Sequence, residues 1–387
     1  MKIVYVLNNG ARAGASMAFK NILPGLLANG VYPIVIIPEK NELYDELLQN
    51  GIKAYMTRYK PNTYPRFDNI TSVILFLPRI VARRIVNHIA VRRLCQELKN
   101  QEINIVHTNT SIIDIGYRIA KKLGIPHIYH IREYADEYFK HKLYPTDAVF
   151  TKHLLSPDTY SICITKDIQK HFHLDDKNYS TVIYDGVAHD ESMSYIQEKE
   201  DFYIFVGRIE YGKGIDILID SYIKAKAEQI ELPHLIVIGN VNDIKLYQSL
   251  QTKIKLAGVT NDIDFKGELN NVTEYIRRAK AVIVPSRMEG FGLVTTEAMF
   301  CHSLVVGNDI GGTKEQFDNG LEMFNNEIGI RYHNGIELID ILKEIANKDI
   351  SEYTSVIDLA YKTVSRLYTL ESSVMSIISF YNKITYA

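Results

Sequence analysis

Two glutamates eight positions apart, Glu289 and Glu297, belong to the run PSRMEGFGLVTTE, in which a glycine turn holds Glu289 and a helical pattern opens near Gly292. At about 3.6 residues per turn that interval is roughly two helical turns. The apolar run AVIVPS before it (281–286) reads as a buried parallel strand. The helix start that follows aims unpaired backbone N–H groups and a positive dipole end at whatever fills the turn. Such a place holds anions, and a diphosphate suits it. A carboxylate on either side would repel phosphate, yet it accepts hydrogen bonds from hydroxyls at the two ends of a longer ligand. A nucleotide sugar has that layout, with sugar hydroxyls, diphosphate and ribose hydroxyls in order. The plainer reading is an acid in a turn plus a solvated helix carboxylate; the Gly-Phe-Gly insert and the strand shift the argument toward a ligand site.

A second constellation is GRIEYGKGIDIL, where Arg208 ends a strand and Lys213 follows in a glycine-flanked loop. Two cations there would neutralise the charge that builds on a departing nucleoside diphosphate. Surface cations beside a turn are the alternative. His130, in HIYHIRE, ends another apolar strand, where its imidazole would hydrogen-bond a sugar hydroxyl or relay a proton from an acceptor. His107, in VHTN, is the weaker candidate, and Arg132 with Glu133 is expected to form a local pair without chemistry. The loop NNGARAGASMAF follows the first strand, but Met17 stands where a dinucleotide fingerprint needs its third glycine, which weakens a dehydrogenase reading.

These loops require a scaffold of strands. KIVYVL (2–7), PIVIIPE (33–39), INIVHTN (103–109), HIYHIRE (127–133) and YSICIT (160–165) alternate with helical patterns. The rhythm restarts with FYIFVGRI (202–209), LIVIGN (235–240), IDFKGE (263–268), AVIVPS and LVVGND (304–309). The pattern predicts an α/β chain with domains over 1–187 and 201–365, an acidic linker over 188–200, and a helical segment over 366–387 that crosses back to the first domain. Ligands of doubly wound sheets bind beyond the strands' carboxyl ends, so a cleft between the two domains is expected there.

The length of 387 residues exceeds one ordinary core. A formal net charge of -2 argues against wholesale nucleic-acid binding. Cys95, Cys163 and Cys301 are scattered and odd in number, which favours a reducing cytosol over a disulfide framework or a zinc cluster. MKIVYVLNNG lacks a signal-peptide core, and no apolar run reaches the roughly 18 to 20 residues of a membrane span, so a cytoplasmic protein with at most peripheral membrane contact is expected.

The stretch EGFGLVTTE (289–297) resembles the EGFGxxxxE signature of the retaining glycosyltransferases of family 4, and GRIEYGKG resembles that family's GRxxxxKG motif. The resemblance implies a GT-B fold, two doubly wound Rossmann-like domains facing an interdomain cleft. It also implies transfer of a hexose-type unit from a nucleoside diphosphate sugar, UDP foremost, to a glycan or lipid-linked glycan in cell-surface polysaccharide synthesis. Residue by residue, it places Arg208 and Lys213 on the diphosphate, with Gly290, Phe291, Gly292 and Leu293 at the helix start. Glu289 falls to the sugar hydroxyls, Glu297 to the ribose, and His130 lies beside the reacting sugar. Gly14 and Ala15 match a GGxE-type turn against the diphosphate, with alanine at the first glycine. Gly267 and Leu269 would frame the nucleobase, and Gly311-Gly312-Thr313 with Glu315 matches a GGxxE turn. In this scheme a donor phosphate oxygen takes the acceptor proton, and no cofactor or metal is required.

The segment Ile70 to Gln96 carries five arginines and no acidic residue, among them Arg79, Arg83 and Arg84. Ile74, Leu77, Val81, Ile85 and Ile89 keep helical spacing. The helix either packs that stripe into the core with a solvated basic face, or rests on the inner, anionic face of a membrane and admits a lipid-linked acceptor. Two rival functions remain at this point. One is a glycoside hydrolase using the two carboxylates as acid and base, which would not need Arg208 or Lys213. The other is a catalytically silent GT-B subunit that stabilises a partner transferase.

Overall fold

In a computed structural model the described residues are 1–8, 14–64, 70–134, 146–175, 177–187 and 199–386. They form two compact units, Met1–Gly186 with Leu370–Ala387, and Val187–Thr369. The expected linker lies mostly outside the described residues, and the second sheet is already under way at Glu200.

The first unit holds strands β1 (Lys2–Val6), β2 (Tyr32–Ile37), β3 (Lys53–Met56), β4 (Ile105–Thr108), β5 (His127–Ile131), β6 (Thr159–Cys163) and β7 (Ser180–Val182). They pair in the order β3-β2-β1-β4-β5-β6-β7, all neighbours parallel. Both faces are covered, which is why these strands are apolar runs without polar alternation. Ile3, Tyr5, Val35, Ile37, Ile105, Ile128 and Ile162 face one core, shared with Phe19, Leu23 and Leu26 of the helix Gly14–Ala28. Val374, Ile377, Phe380 and Tyr381 of the helix Leu370–Thr385 complete it. Gly25 permits their close approach, since a Cβ there would stand 2.8 Å from Val374 Cγ2. Val4, Val6, Ile34, Ile36 and Val106 face the opposite core.

The second unit holds β8 (Glu200–Val206), β9 (His234–Ile238), β10 (Ile263–Gly267), β11 (Ala279–Val284), β12 (Leu304–Asn308) and β13 (Ile330–Tyr332), ordered β10-β9-β8-β11-β12-β13 and parallel throughout. The order reverses between β8 and β11, which makes the loops after those strands the topological switch point where such sheets take ligands. Arg208 follows β8, and the Ser286–Glu289 loop follows β11.

The basic segment packs part of its length into the core, but through a face other than the expected stripe. It forms a short helix, Ile70–Ile74, and a long one, Phe76–Leu98. The buried face of the long helix is Asn87, Ala90, Val91, Leu94, Cys95 and Leu98. Ile74 is 69% exposed, Leu77 69%, Val81 54%, Ile85 54% and Ile89 60%. The stripe therefore faces away from the core. No helix among the described residues is long and apolar enough to cross a membrane.

Candidate functional site

At the switch point of the second unit, two loops lock together through backbone. Gly214 has φ +67, and a Cβ on it would lie 1.7 Å from Pro285 O. Only glycine permits that approach and that conformation. Arg287 N donates to Gly212 O at 3.0 Å, and the Arg287 guanidinium grips Asp216 bidentately at 2.6 and 2.7 Å while lying 3.9 Å over the Tyr211 ring. These contacts fix Lys213 on one side of the turn and Glu289 on the other.

Lys213 Nζ then reaches Glu289 Oε2 at 2.8 Å, with both side chains mostly buried. Ser286 Oγ donates to the same oxygen at 2.9 Å. Both bonds fall on the same carboxylate oxygen, Oε2. The pairing holds the lysine and the glutamate together as one unit, with one of the three Nζ donors on the carboxylate. Arg208 is half-exposed and held by Glu210 at 2.9 Å.

Gly292, with φ +90, caps the helix Leu293–Phe300. Thr295 and Thr296 donate back to Gly292 O, so the N–H groups of Leu293 and Val294 precede the helical ladder at the turn. The GGT turn after β12 braces this start. Gly312 N donates to Glu289 O at 2.8 Å, Gln316 Nε2 to Phe291 O at 2.5 Å, and Thr295 Oγ1 meets Thr313 Oγ1 at 2.9 Å. A Cβ on Gly312 would stand 2.0 Å from Phe291 O, so only glycine fits at this position of the turn.

Glu297 keeps a partly exposed edge, yet burial pushes its carboxyl up to about 7. Gly267, at φ +69, ends β10, and its carbonyl accepts from Gly239 N at 2.8 Å, with Leu269 two residues on.

His130 and His107, both buried in the first unit, belong to one hydrogen-bonded chain. His107 Nε2 lies 3.2 Å from His130 Nδ1, His107 Nδ1 lies 2.6 Å from Tyr381 Oη, and Tyr381 Oη lies 2.7 Å from Tyr5 Oη. Arg132 Nη2 also reaches His130 Nδ1, at 3.3 Å. A guanidinium only donates, so Nδ1 accepts and the ring proton sits on Nε2. His107 must then donate from Nε2, accept at Nδ1 from Tyr381, and leave Tyr5 as the first donor. Burial, reinforced by Arg132, pushes His130 well below the usual histidine range and His107 to about 3. His130 Nε2 is buried and without a partner among the described residues. Burial thus holds the ring neutral, with Nε2–H placed as a hydrogen-bond donor.

Arg132 does not pair with Glu133. It forms a buried ion pair with Asp185 and donates from Nε to Asn109 Oδ1 at 3.1 Å, while Glu133 accepts from Thr110 and Ser111. Asn109 Nδ2 in turn donates to Ala15 O at 2.7 Å, tying the start of the Gly14–Ala28 helix to this network. Residues 9–13 of the first loop lie outside the described residues. Arg79 and Arg84 are exposed, and Arg83 donates to Thr63 O. Asp216, Arg287, Asp185 and Tyr381 escaped the sequence reading. Their partners lie 53 to 376 positions away, and no local motif marks them. No cluster among the described residues has the make-up of a metal site.

Two parallel doubly wound units with ligand-facing loops at the strand ends define a GT-B fold. Solved structures share it: Anabaena HepE, determined in complex with UDP, superposes with a TM-score of 0.76 at 18% identity, covering 99% of this chain and 100% of that one. Residues 190–351 match the family model of glycosyl transferases group 1. An uncharacterized glycosyltransferase of Methanocaldococcus jannaschii is 26% identical over 292 residues, which is 74% of this chain and 78% of that protein. A lipopolysaccharide core biosynthesis mannosyltransferase of Rhizobium leguminosarum is 31% identical over 116 residues, 30% of this chain and 33% of its own length. The fold, the family match and the relatives together support a glycosyltransferase.

Proposed function

We propose that the chain is a retaining glycosyltransferase that moves a hexose from a UDP-sugar to a hydroxyl of a glycan or lipid-linked glycan. The observation that carries this reading is the Lys213–Glu289 pair at 2.8 Å, held beside the start of the helix Leu293–Phe300 at the switch point of the second sheet. Phosphate oxygens take Lys213 Nζ, Arg208 and the first N–H groups of that helix, and the sugar hydroxyls take Glu289 Oε1. Glu297 accepts from the ribose, and His130 Nε2–H donates to a substrate oxygen. The bond from the anomeric carbon to the donor phosphate breaks as the acceptor oxygen bonds to the same face, and the acceptor proton passes to the departing phosphate oxygen. Protein groups supply position and positive charge rather than a strong base, and the two cations serve where other transferases use a metal. HepE, solved with UDP, supports the choice of nucleotide. The exposed stripe on the helix Phe76–Leu98 supports peripheral contact with the inner face of a membrane.

A panel of nucleotide sugars assayed for nucleoside diphosphate release, with and without lipid-linked acceptors, tests the activity. Proton NMR of the product reads the anomeric configuration. An inverted product overturns the retaining assignment, and silence across the panel overturns the transferase.

A further inference from the structure

Four buried side chains run as a row across one face of the first sheet. Register sets Tyr5 of β1 opposite His107 of β4, and His107 opposite Ile128 of β5, so alternation along the strand brings His130, two positions on, to the same face. The helix Leu370–Thr385 covers that face and adds Tyr381. The rings sit close, with centroids 5.1 Å apart for Tyr5 and His107 and 5.2 Å for His107 and His130. In this row the protons outnumber the acceptors. With Arg132 donating to His130 Nδ1, the Tyr5 hydroxyl points to Tyr381, the Tyr381 hydroxyl to His107 Nδ1, and His107 Nε2–H to His130 Nδ1. The last proton, on His130 Nε2, meets no acceptor among the described residues. A network that served only to fill a core would end on a protein acceptor, because an unmet buried donor is costly. Here every donor points the same way, and the acceptor at the end falls to a ligand. Donors in sequence also polarise one another, which strengthens the final N–H.

The same atoms would also allow the reverse arrangement. His130 would then donate from Nδ1 to His107, His107 to Tyr381 and Tyr381 to Tyr5, leaving a lone pair on His130 Nε2. Arg132 selects against it, because a guanidinium at 3.3 Å from His130 Nδ1 cannot accept that proton. Arg132 is itself held from two sides, by the buried ion pair with Asp185 beyond β7 and by Nε donating to Asn109 Oδ1 at 3.1 Å. Asn109 is fixed in turn through its Nδ2 on Ala15 O. Two arms therefore meet at His130 Nδ1, one through Tyr381 and His107, the other through Asp185 and Arg132.

We infer that Tyr5, Tyr381, Arg132 and Asp185 are positioning residues that fix which way this row points, so that His130 presents an N–H and not a lone pair to an oxygen of the transferred sugar. The sugar oxygen rests on the transferase reading above, while the direction of the row belongs to the ligand-free chain.

Long-range proton–nitrogen correlation NMR of the full chain, labelled at histidine, reads the tautomer of each ring. Both His107 and His130 should carry the proton on Nε2, and a His130 proton on Nδ1 overturns the assignment. In Tyr381→Phe, His107 Nδ1 loses its donor and a second His107 tautomer should appear. Asp185→Asn loosens the other arm and should leave the His130 tautomer mixed; single Nε2–H signals for both rings in both variants overturn the role of the arms. With the nucleotide sugar that the donor panel selects, Tyr381→Phe should lower kcat about tenfold and leave KM within about twofold, the scale of one hydrogen bond felt in the transition state. That variant also strands the Tyr5 hydroxyl in the core, so lost stability is a second route to a lost rate. The double variant Tyr5→Phe/Tyr381→Phe removes the stranded group and should regain melting temperature without regaining kcat. Recovery of kcat together with Tm reduces the row to core packing, and wild-type kcat in Tyr381→Phe overturns its positioning role. Silence of the wild-type chain across the donor panel overturns the transferase reading alone, and the tautomers then still decide the direction of the row.

Discussion

Replacing Glu297 by glutamine should stabilise the ligand-free chain at alkaline pH. Burial raises the folded-state carboxyl from 4.5 to about 7. The unfolded chain ionises at the ordinary value, so between those limits the unfolded state releases its proton while the folded state retains it. Stability that is fully present below about 4.5 is therefore lost as pH rises through about 7. At about 1.36 kcal/mol per pKa step, the loss approaches 3 kcal/mol by pH 8. The partly exposed edge of the side chain reduces it toward 2 kcal/mol. Glutamine imitates the protonated acid and removes the dependence. For a unit of this size each kcal/mol moves Tm by about 2–4 °C, so Glu297→Gln should melt roughly 4–8 °C above wild type at pH 8 and level with it at pH 4. Thermal melts at intervals between those limits provide the measurement, and parallel curves across the range would refute the argument. Ligand binding adds a second readout. If ribose hydroxyls donate to this carboxylate, UDP binding favours its ionised form and releases a proton near pH 7. Calorimetry in buffers of different ionisation enthalpy detects that release, and the glutamine variant should lose it.

Lys213→Ala and Glu289→Ala should each lower turnover about a hundredfold or more while circular dichroism stays native, because each removes half of a unit that acts on diphosphate and sugar together; near wild-type rates in both would remove the pair from the site. The His130 ring should stay neutral from pH 5 to 8 in NMR titrations, and a midpoint near 6 would contradict the hydrogen-bond polarity set by Arg132. Gly312→Ala should abolish UDP binding or expression of folded chain, since its new methyl group collides with Phe291 O at the turn; wild-type UDP affinity in that variant would show that the turn relaxes freely.

Glu289, Arg208 and Lys213 were legible because glycines punctuate their loops and apolar strands precede them, which places them on strand ends before any coordinates are known. The interior bonds among them were not. Arg287 reads as one more loop cation, and only the fold brings Asp216, 71 positions away, beneath it. His130 was visible as a strand-end residue, but its donor character depends on Arg132, Asp185 and Tyr381, which the topology assembles. Arg132 beside Glu133 looked like a local pair, yet each found a partner elsewhere, Asp185 for the arginine and Thr110 with Ser111 for the acid. The basic helix shows a different limit. Spacing tells which residues share a face of a helix but not which face is covered, and the small residues Ala90 and Cys95 proved to belong to the buried one.

The helix Leu370–Thr385 carries a consequence for biosynthesis. Its Val374, Ile377, Phe380 and Tyr381 fill the core begun by Ile3 and Tyr5, so the first unit is built from two segments, one synthesised before the second unit and one after it. The intervening unit, Val187–Thr369, has its own continuous core and is free to fold while the first still waits with an uncovered apolar face. Synthesis proceeds at about 5–20 residues per second, so that wait lasts on the order of ten seconds or more. A chain stalled before residue 370 would hold a finished second unit beside an incomplete first one, lacking the tyrosine that orients the histidine pair. Such a product would retain nucleotide affinity without turnover, and it would depend on chaperones for solubility.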